Sequence, residues 1–237
     1  MISRRFFLLL AASGGLSAGT KKYCGIRFQA ISRRGSTRRY LWIHGDETTA
    51  GQVLAAHMRK FKGKALLVDN PTRVIRVDEM TFDPNRMFTR LGLERNLTRL
   101  HPEASAEARE RIHRLVEKDR DKLLRALTPP KNGLLTVLHN NSRGYSVKDE
   151  VEISNAVSLA APDEPNDFFL CTDPNDYAIL KTSPYNVVLQ NAAKGEDDGS
   201  FSRLAAARRI RYVNIETAKG RVAEQRAMLE WMETRLP

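Results

Sequence analysis

Short apolar runs alternate with longer stretches of helical period along this sequence, and that alternation restricts its fold more than any other feature. Residues 38–43, Arg-Arg-Tyr-Leu-Trp-Ile, form an apolar, aromatic run of strand length. From Thr49 the period changes, and Ala50, Val53, Leu54, His57, Met58 and Phe61 share one helical face. Gly63 stops that helix, Ala65-Leu66-Leu67-Val68 reads as the next strand, and a further strand is predicted over Arg73–Val77. A second helix is predicted from Ser105 to Leu127, with Ile112, Leu115, Val116, Leu123 and Leu127 on one side and Pro129-Pro130 ending it. Three more apolar runs follow, Leu134–Leu138, Phe168–Cys171 and Asn186–Leu189. After Arg211-Tyr212-Val213-Asn214-Ile215 the chain closes on a helix carrying Met228, Leu229, Met232 and Leu236 along one side. Strands alternating with helices bury their apolar faces as a sheet covered by helices, which predicts an α/β fold. No internal repeat occurs, and no linker splits the chain, so a single domain is expected.

Composition narrows the class. With 237 residues, 41% hydrophobic and 28% charged, the chain is globular rather than disordered or fibrous. Its two cysteines, Cys24 and Cys171, exclude a disulfide scaffold and a four-cysteine zinc ribbon. No apolar run reaches the ~18 residues needed to span a bilayer. Residues 1–20, MISRRFFLLLAASGGLSAGT, have the layout of an export signal: Arg4-Arg5, an apolar stretch from Phe6 to Ala12, then small residues. Ser3-Arg4-Arg5-Phe6-Phe7-Leu8 is similar to a twin-arginine signal, which carries folded proteins across a bacterial membrane. The expectation is an exported protein of the periplasm or cell envelope, with no integral span once the signal is removed; without the signal it would be cytoplasmic. In an oxidising compartment Cys24 and Cys171 could pair.

The net charge of +11 raises a nucleic-acid reading, with Arg33, Arg34, Arg38 and Arg39 in one cluster and Arg203, Arg208, Arg209 and Arg211 in another. Aromatic residues make up only 7%, and no nucleic-acid-binding motif accompanies the clusters, so a nucleic-acid partner is not expected.

Several segments carry chemistry. Ile43-His44-Gly45-Asp46-Glu47-Thr48 leaves a strand and enters a helix, so a histidine and a glutamate three apart can face one point. Imidazole and carboxylate are both zinc ligands, and catalytic zinc takes three such groups with one position left open. The simpler reading is a turn with a capping acid. His139 ends the run Leu134–Leu138, where a strand delivers a side chain to the sheet edge at which ligands bind. His57, on an apolar helix face, reads as a core residue, His113 in a charged helix as solvated, and His101 before Pro102 as a loop residue without a partner. In Thr81-Phe82-Asp83-Pro84-Asn85-Arg86-Met87-Phe88, an amide beside a guanidinium suits a carboxylate, which arginine can grip through both oxygens. In Val213-Asn214-Ile215-Glu216-Thr217, a carboxylate at a strand tip is placed to act as a general base. Arg143 and Tyr145 are conceivable substrate contacts without a motif.

The order of these segments resembles the zinc carboxypeptidase superfamily, within it the succinylglutamate desuccinylase and aspartoacylase branch. The matching segments are His44-Gly45-Asp46-Glu47, Asp83-Pro84-Asn85-Arg86-Met87-Phe88, Leu138-His139-Asn140 and Val213-Asn214-Ile215-Glu216. The resemblance implies a mixed twisted sheet with helices on both faces, spanning residues 25–237. It implies one zinc ion on His44, Glu47 and His139, Glu216 as general base, and Asn85 and Arg86 on a substrate carboxylate. It also implies an arginine that polarises the scissile carbonyl, for which Arg76 is chosen and Arg73 is the alternative. The activity implied is hydrolysis of an amide bond in a peptide or an N-acyl amino acid; a non-catalytic binding protein of the same fold is the alternative. Pro84 and Thr217-Ala218 depart from the family pattern, which leaves the choice of substrate open.

Overall fold

A computed structural model describes residues 16–141, 144–192 and 194–237. The strands are β1 (Leu16–Tyr23), β2 (Ile26–Arg33), β3 (Arg39–Trp42), β4 (Gly63–Val68), β5 (Ile75–Val77), β6 (Met80–Phe82), β7 (Leu135–Asn141), β8 (Ala156–Ser158), β9 (Phe168–Cys171), β10 (Asn186–Leu189) and β11 (Tyr212–Ala218). The helices are α1 (Thr48–Lys60), α2 (Arg90–Leu100), α3 (Ala106–Leu127), α4 (Val147–Val151), α5 (Pro174–Leu180), α6 (Phe201–Ala207) and α7 (Val222–Arg235), with a 3₁₀ turn at Pro84–Arg86.

Nine strands form one sheet in the order β1-β2-β4-β3-β7-β11-β9-β10-β8. Its centre, β4-β3-β7-β11, is parallel, while β1 and β2 on one side and β9 and β8 on the other add antiparallel pairings. The sheet is thus mixed, with helices on both faces, as expected. Every residue of β7 is buried, as covering both faces of a parallel strand requires. On one face α1 packs against α7, with Tyr40 of β3 donating to Glu233 at 2.8 Å and Thr136 of β7 lying against Met232.

Several expectations are corrected. The strand expected over Arg73–Val77 is shorter and pairs with β6 in a separate two-stranded ribbon rather than in the main sheet. Cys24 and Cys171 are buried free thiols, at the β1–β2 turn and in β9, and their sulfurs approach Val116 O and Val188 O instead of each other. His113 is buried, its Nε2 2.7 Å from Glu94 of α2. His101 Nε2 accepts from Thr81 N at 2.8 Å, tying the end of α2 to β6. His57 is buried as expected, stacked on Phe61. Most of the expected export signal lies outside the described residues, and residues 16–20 form the start of β1. No helix among the described residues is long and apolar enough to cross a membrane.

Candidate metal centre and its cavity

Three neighbouring parallel strands end at the same edge of the sheet, and each delivers one group. His44 follows β3, His139 lies near the end of β7, and Glu216 near the end of β11, directly opposite His139 in the β7–β11 register. Gly45 lets the chain turn sharply after His44: a Cβ there would lie 1.6 Å from Asn70 O, so a side chain would force the loops apart. That close approach also brings the loop carrying Arg73 against the site.

Glu47 occupies the N-cap position of α1, yet its side chain makes no cap hydrogen bond. The simpler reading, a capping acid, therefore fails: the carboxylate turns toward the two histidines. Its Oε1 lies 2.8 Å from His44 Nδ1, its Oε2 2.9 Å from His139 Nδ1, and the two Nδ1 atoms are 3.2 Å apart. Asn140 N donates to Glu47 Oε2 at 3.1 Å. The first turn of α1 is satisfied instead by Asn140, whose Oδ1 accepts from Ala50 N at 2.8 Å. Its Nδ2 donates to Thr217 and to Gln225 Oε1, while Gln225 Nε2 donates to His139 O at 2.8 Å, so β7, β11, α1 and α7 are locked together behind the triad.

His44, Glu47 and His139 are all buried, and their ligand atoms lie within 4.8 Å of one another. A tetrahedral ion with bonds of about 2.0–2.2 Å would hold its ligands roughly 3.3–3.6 Å apart. The observed separations of 2.8 to 3.2 Å are somewhat shorter than that, as expected for groups drawn together by hydrogen bonds. Two imidazole nitrogens and one carboxylate suit zinc in both donor type and number. The residues fit the ion.

A second layer holds this triad. His44 Nε2 lies 2.8 Å from Asp83 Oδ1, which fixes the ring with Nδ1 facing inward. Arg73 donates to Asp83 Oδ2 at 3.2 Å and to Glu47 Oε1 at 2.9 Å. Burial works against charge on His44, but Glu47 and Asp83 outweigh it and raise its pKa to about 9. Burial likewise opposes charge on Glu47, and His139 and His44 outweigh it, holding the carboxyl far below its usual range. His139 shifts the other way, lowered chiefly by burial. A cation in the triad would replace the proton on His44.

The triad opens into a cavity of about 400 Å³ lined also by Arg73, Asn85, Arg86, Tyr145, Glu150, Asp198, Ser200, Tyr212, Asn214 and Glu216. Asp83 caps the Pro84–Arg86 turn through Asn85 N at 2.8 Å, so one carboxylate orients both His44 and the Asn-Arg pair. Gly199 packs directly on the Arg86 backbone and on Gly92 of α2, closing the polar loop over the turn. Arg86 Nη1 lies 3.6 Å from Asp198. Asn85 Oδ1 accepts from Phe201 N at 3.1 Å, which leaves its amide nitrogen as the group able to meet an anion. Glu216 is buried and accepts from Asn214 Nδ2 at 3.0 Å. Burial first, then the charge of Glu47, pushes its pKa up to about 8.

The structure therefore brings His44, Glu47, His139, Asn85, Arg86, Glu216 and Tyr145 to one cavity. Arg76 is not among them. It lies in β5 with its guanidinium turned to Asp78 O, and Arg73, the alternative, lines the cavity. Arg143 lies outside the described residues. Parts of the arginine clusters are engaged internally: Arg38 pairs with Glu233, and Arg211 grips both oxygens of Asp176. Sequence reasoning leaves Asp83, Asn140 and Gln225 without roles. The motifs containing the first two are visible, but a supporting contact depends on distant strands meeting.

No family model matches the chain, and no curated protein matches it. Among solved structures it superposes over 98% of its length on a "putative metallopeptidase" of Shewanella denitrificans, covering 88% of that chain at 15% identity with a TM-score of 0.50. A second "putative metallopeptidase", from Shewanella baltica, aligns over 97% of this chain and 91% of its own at 11% identity, with a TM-score of 0.48. At the first of these levels of likeness the fold is shared.

Proposed function

We propose that this protein is a zinc-dependent hydrolase that cleaves an amide bond next to a carboxylate-bearing group, in the manner of the carboxypeptidase superfamily and its succinylglutamate desuccinylase and aspartoacylase branch. The observation that carries the reading is the convergence of His44 Nδ1, His139 Nδ1 and the Glu47 carboxylate in a cavity that also holds Glu216, Arg73 and Arg86.

His44, Glu47 and His139 would hold a zinc ion, which would supply the Lewis acidity for acidifying water and polarising a carbonyl. Asp83 keeps the His44 ring turned inward, and Arg73 balances the charge of Asp83 and Glu47. Arg86 and the Asn85 amide bind the substrate carboxylate, with Arg86 exchanging its weak contact with Asp198 for it. Glu216 takes a proton from the attacking water and returns it to the leaving amine. A carboxylate whose pKa is raised by burial holds that proton more readily than an exposed one, while positive charge nearby draws it back toward the ionised, basic form. Arg73 faces the same cavity as the hydrogen-bond donor for the developing oxyanion, in place of Arg76.

The twin-arginine-like segment supports export to the periplasm or cell envelope and, with it, peptides outside the cytoplasm as substrates. Cleavage near residues 19–24 would remove much of β1, an edge strand whose residues are largely exposed, and would leave the β2–β4 pairing in place. The test is a panel of C-terminal peptides and N-acyl amino acids, assayed with zinc and with a chelator. Zinc-dependent release of an amine from any of them supports the reading, and zinc binding with no turnover favours a non-catalytic binding protein.

A further inference from the structure

One wall of the cavity carries hydrogen-bond acceptors that the proposed hydrolysis does not use. Glu150, from α4, is half-buried, and its carboxylate is held from two sides: Oε1 accepts from the Tyr145 hydroxyl at 2.7 Å and Oε2 from Gln190 Nε2. Both donors are neutral, so they fix the group without compensating its charge. Glu47 and Asp198 on the same cavity face Arg73 and Arg86, whereas Glu150 has no ion-pair partner among the described residues. Asn214, from β11, is 6% exposed. Its Nδ2 faces the Glu216 carboxylate, which sets the amide orientation, and its Oδ1 has no hydrogen-bond partner among the described residues. A buried acceptor without a donor destabilises the protein, and an occupant bearing N–H groups would relieve that. Tyr145 and Tyr212 line the cavity beside these two acceptors and offer apolar ring surface for an aliphatic stem.

We propose that this wall binds a cationic, N–H-donating side chain of the substrate, an ammonium or guanidinium, with Glu150 supplying the charge and Asn214 Oδ1 a further acceptor. The inference rests on the hydrolase reading for the cleavage step after binding, and it makes the substrate dipolar: its carboxylate meets Arg86 and its cation meets Glu150. The net charge of +11 repels cations at long range, but that field is screened beyond about 8–10 Å at physiological salt. Contact with Glu150 operates well inside that distance, so the local charge decides selectivity.

Calorimetry on the full chain, with and without zinc, tests this using glycyl-L-lysine against glycyl-L-norleucine, which share a four-carbon side chain and differ in the terminal ammonium. Binding of the lysine peptide is expected to be about tenfold tighter or more. In Glu150→Gln the two affinities should come within about threefold, and in Glu150→Lys the order should reverse. Equal or tighter binding of norleucine to the wild type, no binding of either peptide, or an unchanged ratio in Glu150→Gln overturns the proposal. If the lysine preference holds but the zinc-loaded protein cleaves neither these peptides nor the corresponding N-acetyl amino acids, the cationic subsite stands and the hydrolase reading falls. Cleavage without a lysine preference does the reverse.

Discussion

The centre of the sheet, β3, β7 and β11, and the β1–β2 hairpin at its edge belong to one sheet, parallel at the centre and antiparallel at the edge, but are used differently. In the centre every side chain of β7 is buried, and the strand ends hold His139 and Glu216 side by side. At the edge, β1 exposes nearly all of its residues, and Lys21 and Lys22 lie on a strand that has a neighbour on one side only. Chemistry sits where burial fixes side chains from both faces, because a ligand set must be held to fractions of an ångström. The edge contributes area but no geometry, and charged residues there discourage pairing with another chain.

That contrast can be broken by substitution. The largest effect is expected for Glu216→Gln, which keeps the shape of the side chain and the triad: zinc should remain bound while turnover falls by about 10²–10⁴-fold. Near-normal turnover in this variant would remove Glu216 from its role. Leu138→Ala, in the buried centre of β7, is expected to cost about 2–5 kcal/mol of stability in chemical denaturation. Asp83→Ala removes the support behind His44 and should weaken zinc affinity about 10–100-fold, measured by competition with a chelator, without unfolding the sheet. Thr20→Ala, on the exposed edge strand, should change stability by no more than about 0.5 kcal/mol. If Thr20→Ala proved as costly as Leu138→Ala, the division between working centre and passive edge would be wrong.

The same contrast explains which elements are legible in the sequence. The runs at 40–43, Leu134–Leu138 and 212–215 are mostly apolar because their strands are covered on both faces, and they point directly to β3, β7 and β11. The hairpin is obscured because Lys21, Lys22, Arg27 and Gln29 interrupt the pattern and the leader claims residues up to 20. Its turn, with Cys24 and Gly25 both at positive φ, carries a glycine that is a usable signal. Helix α2 buries only Gly92, Leu93, Asn96 and Leu97, too little apolar volume to stand out, and without α2 there is nothing to cover His113 on α3. Helix α5 begins with Asp173-Pro174, a capping residue and a proline at the first helical position, a start signal that a reading by apolar runs passes over.

In the site, His44 and His139 are legible because they stand at or near strand ends, and Glu47 because it lies three residues after His44, whereas the supporting residues are not. Asp83 and Asn140 stand in recognisable motifs, but their partners come from β3, α1, β11 and α7. Distance along the chain favours Arg76 over Arg73. The β5–β6 ribbon makes that measure misleading, since Arg76 turns away from the cavity while the loop before β5 lays Arg73 against Glu47 and Asp83.

The central claim is that His44, Glu47 and His139 together hold one divalent ion, and elemental analysis of the purified full-length protein after equilibration with zinc and gel filtration tests it most directly. The wild type is expected to retain about one zinc per chain, and a folded His44→Ala/His139→Ala variant to retain none. A wild type that carries no zinc, or a double variant that keeps it, would contradict the account.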